Sequence, residues 1–383
     1  MRIAFLCSSI DPGADGVGDY ARQLASACSA LGHSTQLIGL HEPGTVRGDR
    51  PTPGETRFSA AEPWGLRADR LRQSFEEFNP DWVSWQLVPY GFHPKGIIPD
   101  AAAPLLRTSA PYKRHVMLHE LWIGMSRGES FRSRIIGSLQ RRQLMKCLRL
   151  LSPSLLSTTN ATYQAILDRL GWNAEVLPLF GNIPLSDATA GAAELSLISG
   201  DEIPPGPRWI ATLFGTIHPQ WNHAPTLSWL ERASAIAGRH LVLLSIGRAG
   251  GHGDARLAQI KSQYPKITVV CAGIQSQEAI SHLLRVSDFG IATHPWALIG
   301  KSGSTLALRE HGLPVLVPRN DWVARSLGSV QGPNDPLIVL QSDLAPEAVP
   351  AWIARRSRPE SILPGVTRRF VTELANTSSS ADR

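Results

Sequence analysis

The segment Gly300-Lys301-Ser302-Gly303-Ser304-Thr305 gathers three hydroxyls, a lysine and two glycines ahead of the helix-like stretch Leu306–His311. Backbone N–H groups in such a loop are unobstructed by side chains. A helix N-terminus adds unpaired donors and partial positive charge, so the pattern suits a phosphate or diphosphate. An ordinary surface turn capping a helix is the plainer alternative. A Walker A loop needs a glycine at position 295, where Pro295 stands, so an ATPase or kinase reading fails.

Further candidates lie at the ends of apolar runs. His119-Glu120, with Trp122 close by, follows the strand-like His115–His119. An imidazole there could exchange a proton or donate to a hydroxyl, and the carboxylate could orient polar groups. Trp85–His93 is unusually aromatic; its rings could stack on sugar faces while Gln86, Tyr90 and His93 make directional bonds, or it could simply pack a core. Gly16-Val17-Gly18-Asp19-Tyr20 reads as a flexible glycine loop that an acceptor could approach. It fails as a dinucleotide fingerprint because position 21 is Ala21. Phe214-Gly215-Thr216 and Ile246-Gly247-Arg248-Ala249-Gly250-Gly251 are two more strand-end glycine loops, and Arg248 could add charge to a phosphate site.

These residues need a scaffold of buried parallel strands. Arg2–Ser8, Thr35–Leu40, Asp81–Val88, His115–His119, Leu155–Thr159 and Val176–Phe180 are short apolar strands, with helices over Tyr20–Leu31 and Ala161–Leu170. Residues 183–207 are rich in Ala, Ser, Gly and Pro and break the rhythm. It restarts with strands at Trp209–Phe214, Leu241–Ile246, Thr268–Cys271, Phe289–Ala292 and Pro314–Val317, and helices over Thr226–Ala237 and Gln277–Val286. Fully apolar strands alternating with helices predict an α/β fold of two doubly wound Rossmann-like domains facing a central cleft. The expected division is residues 1–185, a linker at 186–207, a second domain at 208–350, and a helical segment and tail at 351–383 that packs back on the first domain. Asn376–Arg383 reads as a frayed polar tail.

Composition bounds the function. With 383 residues, 43% hydrophobic and 18% charged, the chain can bury two sizeable cores and is not disordered. No apolar run reaches the roughly 18–20 residues needed to cross a bilayer, and Met1–Ile10 reads as a first strand rather than a secretion signal. Cys7, Cys28, Cys147 and Cys271 have no metal or redox spacing and fit buried thiols in a reducing cytoplasm. No metal or other cofactor is expected. A formal charge of +6 favours anionic partners, though no nucleic-acid partner is expected. Residues 127–149 carry seven basic residues against Glu129, interleaved with Ile135, Ile136, Leu139, Leu144, Met145 and Leu148. This segment reads either as an amphipathic helix touching a membrane surface or anionic carrier, or as a solvated helix packed on its domain. The packed reading is preferred.

Taken together, the residues resemble the retaining nucleotide-sugar glycosyltransferases of GT-B fold, often called group 1. The likeness rests on Gly16–Ala25 with Ala30-Leu31-Gly32-His33, on His119-Glu120, and on Ser157–Tyr163. It continues through Cys271-Ala272-Gly273-Ile274, Leu283–Asp288 and Gly312-Leu313-Pro314-Val315. The resemblance implies a nucleoside diphosphate sugar held by the second domain, with Gly303, Ser304 and Thr305 on the diphosphate. Gly215 would permit close approach, and Gly273-Ile274 would lie near the base. It implies a small-molecule or glycan acceptor at the first domain, His119 at the transferred sugar, and retention of configuration. Two acidic residues with seven between them are usual in the family, but those positions fall on Ile299 and Ala307. Glu310, one turn beyond, is the expected substitute for a lost carboxylate, and Lys301 or Arg248 for cations missing from 215–222. A non-catalytic nucleotide-sugar or glycan-binding protein, and a GT-B epimerase or pseudo-glycosidic coupling enzyme, are the alternatives.

Overall fold

The computed structural model describes residues 1–13, 15–44, 54–186, 196, 203–328 and 332–381. It is an α/β protein of two compact units, each a doubly wound parallel sheet. The first comprises Met1–Leu179, Val323–Val330 and Leu363–Arg383; the second comprises Phe180–Trp322 and Gln331–Ile362. Most of the expected linker lies outside the described residues.

The first unit has seven strands: β1 (Arg2–Cys7), β2 (Ser34–Glu42), β3 (Glu55–Ser59), β4 (Trp82–Leu87), β5 (Lys113–Leu118), β6 (Leu155–Thr158) and β7 (Glu175–Val176). Their spatial order is β3-β2-β1-β4-β5-β6-β7, all parallel. The expected strand over Val176–Phe180 shrinks to the two-residue β7. Among the described residues five α-helices intervene: α1 (Gly16–Ala30), α2 (Trp64–Phe78), α3 (Ala103–Arg107), α4 (Phe131–Leu151) and α5 (Ala161–Asp168).

Gly16–Gly18 is not the flexible loop expected from its glycines. It is the first turn of α1, because the Asp15 carboxylate accepts from the Val17 and Gly18 N–H groups at 2.8 and 3.1 Å. At Gly18 a Cβ would lie 2.5 Å from the Ser9 carbonyl oxygen, so only glycine lets the helix approach that close.

The second unit has six strands: β8 (Arg208–Phe214), β9 (His240–Ile246), β10 (Ile267–Gly273), β11 (Phe289–Ile291), β12 (Val315–Val317) and β13 (Ile338–Leu340). They run in the order β10-β9-β8-β11-β12-β13, again all parallel. Its helices are α6 (His223–Ile236), α7 (Gly251–Gln263), α8 (Gln277–Val286), α9 (Gly303–Glu310) and α10 (Val349–Ile353). Successive strand residues face opposite sides of a sheet, so one strand feeds two cores. Trp209, Ala211 and Leu213 pack with Trp221 and Trp352 on one side. Ile210 packs with Val242, Leu244, Leu283 and Leu308 on the other.

Residues 376–381 are not a frayed tail: α11 runs Leu363–Ala381. That helix belongs to the first unit, where Phe370 meets the rings of Phe5 at 5.9 Å and His115 at 5.1 Å. Among the described residues no helix is long and apolar enough to cross a membrane. All four cysteines are free, but Cys271 is exposed on the edge strand β10 rather than buried.

Candidate functional site

In each sheet the strand order reverses once, between β1 and β4 in the first and between β8 and β11 in the second. Loops leaving neighbouring strands part company there, and the carboxyl edge of an open α/β sheet binds ligands at such a point. The sequence-derived candidates sort onto these two edges.

At the second unit's edge a recess is lined by Phe214, Gly215, Thr216, Thr293, His294 and Ser304, among others. Its floor is the N-terminus of α9. The helix starts at Gly303, later than a loop and earlier than the expected Leu306, because Ser302 caps it by accepting from the Thr305 N–H at 3.3 Å. The Ser302 hydroxyl also meets those of Ser304, at 3.1 Å, and Thr305, at 2.8 Å. Residues Trp296–Lys301 form a 3-10 turn leading in, with Lys301 half-buried at its end. Gly215 has φ +77°, and a Cβ there would sit 3.7 Å from that of Ser304, so the loop after β8 passes directly over the helix start. Arg248 is exposed after β9, and Gly273, the last residue of β10, and Ile274 after it are exposed, with Ile274 at 69%.

A cationic cluster completes this edge, and sequence reading missed it. Arg319, after β12, is only 5% exposed. Its guanidinium donates to His218 Nδ1 at 2.7 Å, to Gln220 Oε1 at 3.0 Å and to both Asp321 oxygens at 3.0 and 2.8 Å. The Gln220 main-chain N–H also donates to His218 Nδ1, at 3.2 Å. Two donors on Nδ1 leave the ring proton on Nε2, so the tautomer is fixed. The His218 main-chain N–H is held by Thr293 Oγ1 at 2.9 Å, and the His294 ring stands edge-on to the His218 ring at 5.7 Å. Burial, together with the charges of Arg319 and Lys301, pushes both imidazoles down to about 4, so both are neutral near pH 7. Residues 218, 294 with 301, and 319 lie on three connections, after β8, β11 and β12, and only the parallel sheet gathers them.

The positions where the resemblance expects carboxylates are taken into the core. Ile299 is 2% and Ala307 0% exposed, both within one apolar cluster. Glu310 does not replace them. It is 3% exposed, and its carboxylate accepts from the main-chain N–H groups of Ile362, at 3.1 Å, and Gly181. Burial pushes its carboxyl up to about 7, with those two N–H groups pulling the other way. It ties chain segments together instead of facing the recess.

The first unit's edge brings together Gly16–Gly18 after β1, Gln86 near the end of β4 with Tyr90 and His93 after it, and His119, Glu120 and Trp122 after β5. Its polar groups are largely spent on each other. His119 Nε2 donates to Gln86 Oε1 at 2.9 Å, and Gln86 Nε2 donates to Ser84 Oγ at 2.8 Å. Ser84 Oγ donates to His115 Nδ1 at 2.9 Å, and His115 Nε2 donates to Ser157 Oγ at 3.2 Å. Gln86, expected to face an acceptor, is 1% exposed inside this chain. Burial pushes both histidines down to about 3. His119 also packs edge-on against Tyr20 at 5.0 Å. Tyr90 keeps an outward ring, its hydroxyl accepting from Gln140 at 2.9 Å, and His93 is exposed. Glu120 and Trp122 are half-buried. Among the described residues, no group of three or more His, Cys, Asp or Glu side chains is placed to hold a metal ion.

No protein-family model and no curated protein sequence matches the chain. Solved structures do. The catalytic domain of starch synthase IV from Arabidopsis thaliana, bound to ADP and acarbose, aligns at TM-score 0.61 and 13% identity, covering 100% of this chain and 99% of its own. HepE from Anabaena, in complex with UDP and glucose, aligns at 0.54 and 13%, covering 98% and 100%. UDP-GlcNAc 2-epimerase from Methanocaldococcus jannaschii aligns at 0.53 and 10%, covering 98% and 100%. At these identities the likeness establishes the fold, GT-B.

Proposed function

We propose that this protein transfers a sugar from a nucleoside diphosphate sugar to an acceptor hydroxyl, with retention of configuration. The observation that carries the reading is the edge at the β8/β11 reversal, where Ser304 of the α9 N-terminus and His294 line a recess and the charges of Lys301 and Arg319 act on His294 and His218. Breaking the sugar–phosphate bond leaves negative charge on the diphosphate. Main-chain and hydroxyl donors at Gly303–Thr305, the Lys301 ammonium, and His218 with its proton held on Nε2 are suited to receive it. One preorganised donor of this kind contributes roughly 10²–10³ in rate. Gly215 leaves room for the donor, and exposed Ile274 offers an apolar contact for its base. That related folds hold ADP or UDP with a sugar supports the choice of ligand. The acceptor is assigned to the first unit's edge, with Tyr90, His93 and Trp122 offering rings and His119 nearest the chemistry. Three buried thiols suit a reducing compartment, so the cytoplasm is the proposed location.

A thermal-shift series with UDP, GDP and ADP species tests ligand binding, since a ligand bound only by the folded form raises Tm. The double variant Lys301→Ala/Ser304→Ala is expected to lose both that shift and turnover; if both persist, the site is wrongly placed. The anomeric configuration of the product, read by NMR, decides retention.

One observation favours a second reading, nucleotide-sugar binding without transfer. Both usual carboxylate positions, Ile299 and Ala307, are core residues, and Glu310 is committed to main-chain donors. Ligand-induced stabilisation with no hydrolysis or transfer across many acceptors would select it.

A further inference from the structure

Helix α4 carries Arg132, Arg134, Arg141, Arg142, Lys146 and Arg149 and no acidic residue. Its inward face is firmly seated. Gly137, Leu144, Met145, Leu148 and Leu151 are buried. A Cβ on Gly137 would lie 1.8 Å from the Ile123 carbonyl oxygen, so no side chain fits between helix and loop. Gln140 accepts from the Ile123 N–H at 2.9 Å and donates to the Lys95 carbonyl at 2.7 Å. The helix therefore cannot roll to hide its opposite face.

That opposite face is apolar at its amino end. Phe131 is 73% exposed, Ile135 50% and Leu139 46%. They stand four residues apart, which at 3.6 residues per turn places them in one outward stripe. Continuing the same stripe, positions 142, 146 and 149 are basic and exposed. Arg132 and Arg134 flank the apolar part and are also exposed. Glu129, the nearest acid, turns inward, accepting from the Gly124 N–H at 2.7 Å and the Ser126 N–H at 3.3 Å. Asp100 offsets only Lys146, at 2.7 Å. The apolar residues expected to pack inward thus divide: Leu144, Met145 and Leu148 do, while Ile135 and Leu139 do not.

We propose that this face of α4 lies on an anionic lipid surface, with Phe131, Ile135 and Leu139 entering the headgroup boundary and the arginines meeting lipid phosphates. An apolar stripe rimmed by arginine and free of acid fits such a surface in both hydrophobicity and charge sign. Large exposed aromatic and aliphatic side chains in one row are otherwise a solubility liability. The surface is independent of the nucleotide reading, so either can fail alone.

Vesicle co-sedimentation of the full chain tests it, comparing phosphatidylcholine with phosphatidylcholine–phosphatidylglycerol. Wild-type protein is expected to partition onto the anionic vesicles and to be released by salt. Each arginine near such a surface contributes roughly fivefold, so Arg132→Gln/Arg134→Gln/Arg142→Gln should weaken partition roughly 10²-fold. Phe131→Ser/Ile135→Ser/Leu139→Ser should abolish it at unchanged Tm, since all three side chains are exposed. Equal binding to neutral vesicles, or no binding to either, overturns the proposal. Binding that the serine variant retains makes this a general polyanion face and also overturns it. So does a wild-type dimer in solution that the serine variant disperses, because the stripe would then be a self-interface. Should the serine variant misfold, the arginine variant and the salt dependence of wild type still decide.

Discussion

The carboxyl edges of the two sheets are built by the same topology and do opposite things with their polar groups. In the first unit, His119, Gln86, Ser84, His115 and Ser157 form one buried relay in which almost every donor has an internal acceptor. In the second, His294 and Ser304 line a recess at the start of α9, and Arg319, His218 and Lys301 stand close enough for their charges to act on the imidazoles. A satisfied network fixes a fold; a preorganised group of donors with room beside it binds a ligand. Histidine alone therefore does not mark a site: the first edge holds two with no cation in their network, the second holds two beside Arg319 and Lys301.

The contrast is sharpest at Arg319. Arg319→Ala should weaken nucleoside diphosphate binding by roughly 10²-fold in calorimetry, because it removes the buried guanidinium that holds His218, Gln220 and Asp321 together. Arg319→Lys should rescue little, since a point charge cannot replace the fork that bonds His218, Gln220 and Asp321 together. Unchanged affinity in both variants would erase the distinction between the edges.

The converse variant is His115→Ala. It takes one hydrogen-bond partner each from Ser84, which keeps Gln86, and from Ser157, opens a cavity in a fully buried site and should cost about 3 kcal/mol of stability by denaturant unfolding, with nucleotide affinity intact. A loss of affinity as large as its loss of stability would mean that the buried relay contributes to nucleotide binding.

The pH response separates the groups further. His115 and His119 have pKa values pushed below the unfolded value, so the unfolded chain takes up protons that the folded protein refuses. Their contribution is complete above about pH 6.5 and is lost as pH falls toward 3; His218 and His294 act in the same direction. Glu310 has the opposite sign. Its carboxyl is raised to about 7, so its contribution is complete below about pH 4.5 and is lost as pH rises through 7. The Tm advantage of wild type over Glu310→Gln should therefore be larger at pH 5 than at pH 8, and a pH-independent difference would contradict this account.

The smallest effect is expected at Ser302→Ala. Losing the cap of α9 should cost about 1 kcal/mol of stability and a modest part of nucleotide affinity, since the free N–H groups remain. An effect on affinity rivalling that of Arg319→Ala would shift the anion site from the cluster to the helix end.

Local pattern carried much of this protein. Apolar strands in βα alternation fixed two doubly wound sheets, glycines and hydroxyls marked the start of α9, and the absence of acids at Ile299 and Ala307 was already plain. Segment boundaries moved where a cap outweighed glycine, as Asp15 and Ser302 both did. What sequence could not show is which distant side chains share an environment. His218, His294 and Arg319 meet because parallel strands deliver their loops to one edge. Gln86 is held inward by His119, which follows the neighbouring strand, and Glu310 is consumed by N–H groups of Gly181 and Ile362. Periodicity is written along the chain, whereas burial and partnership depend on the pairing order of strands far apart in it, and that order was set only when the sheets closed around their cores.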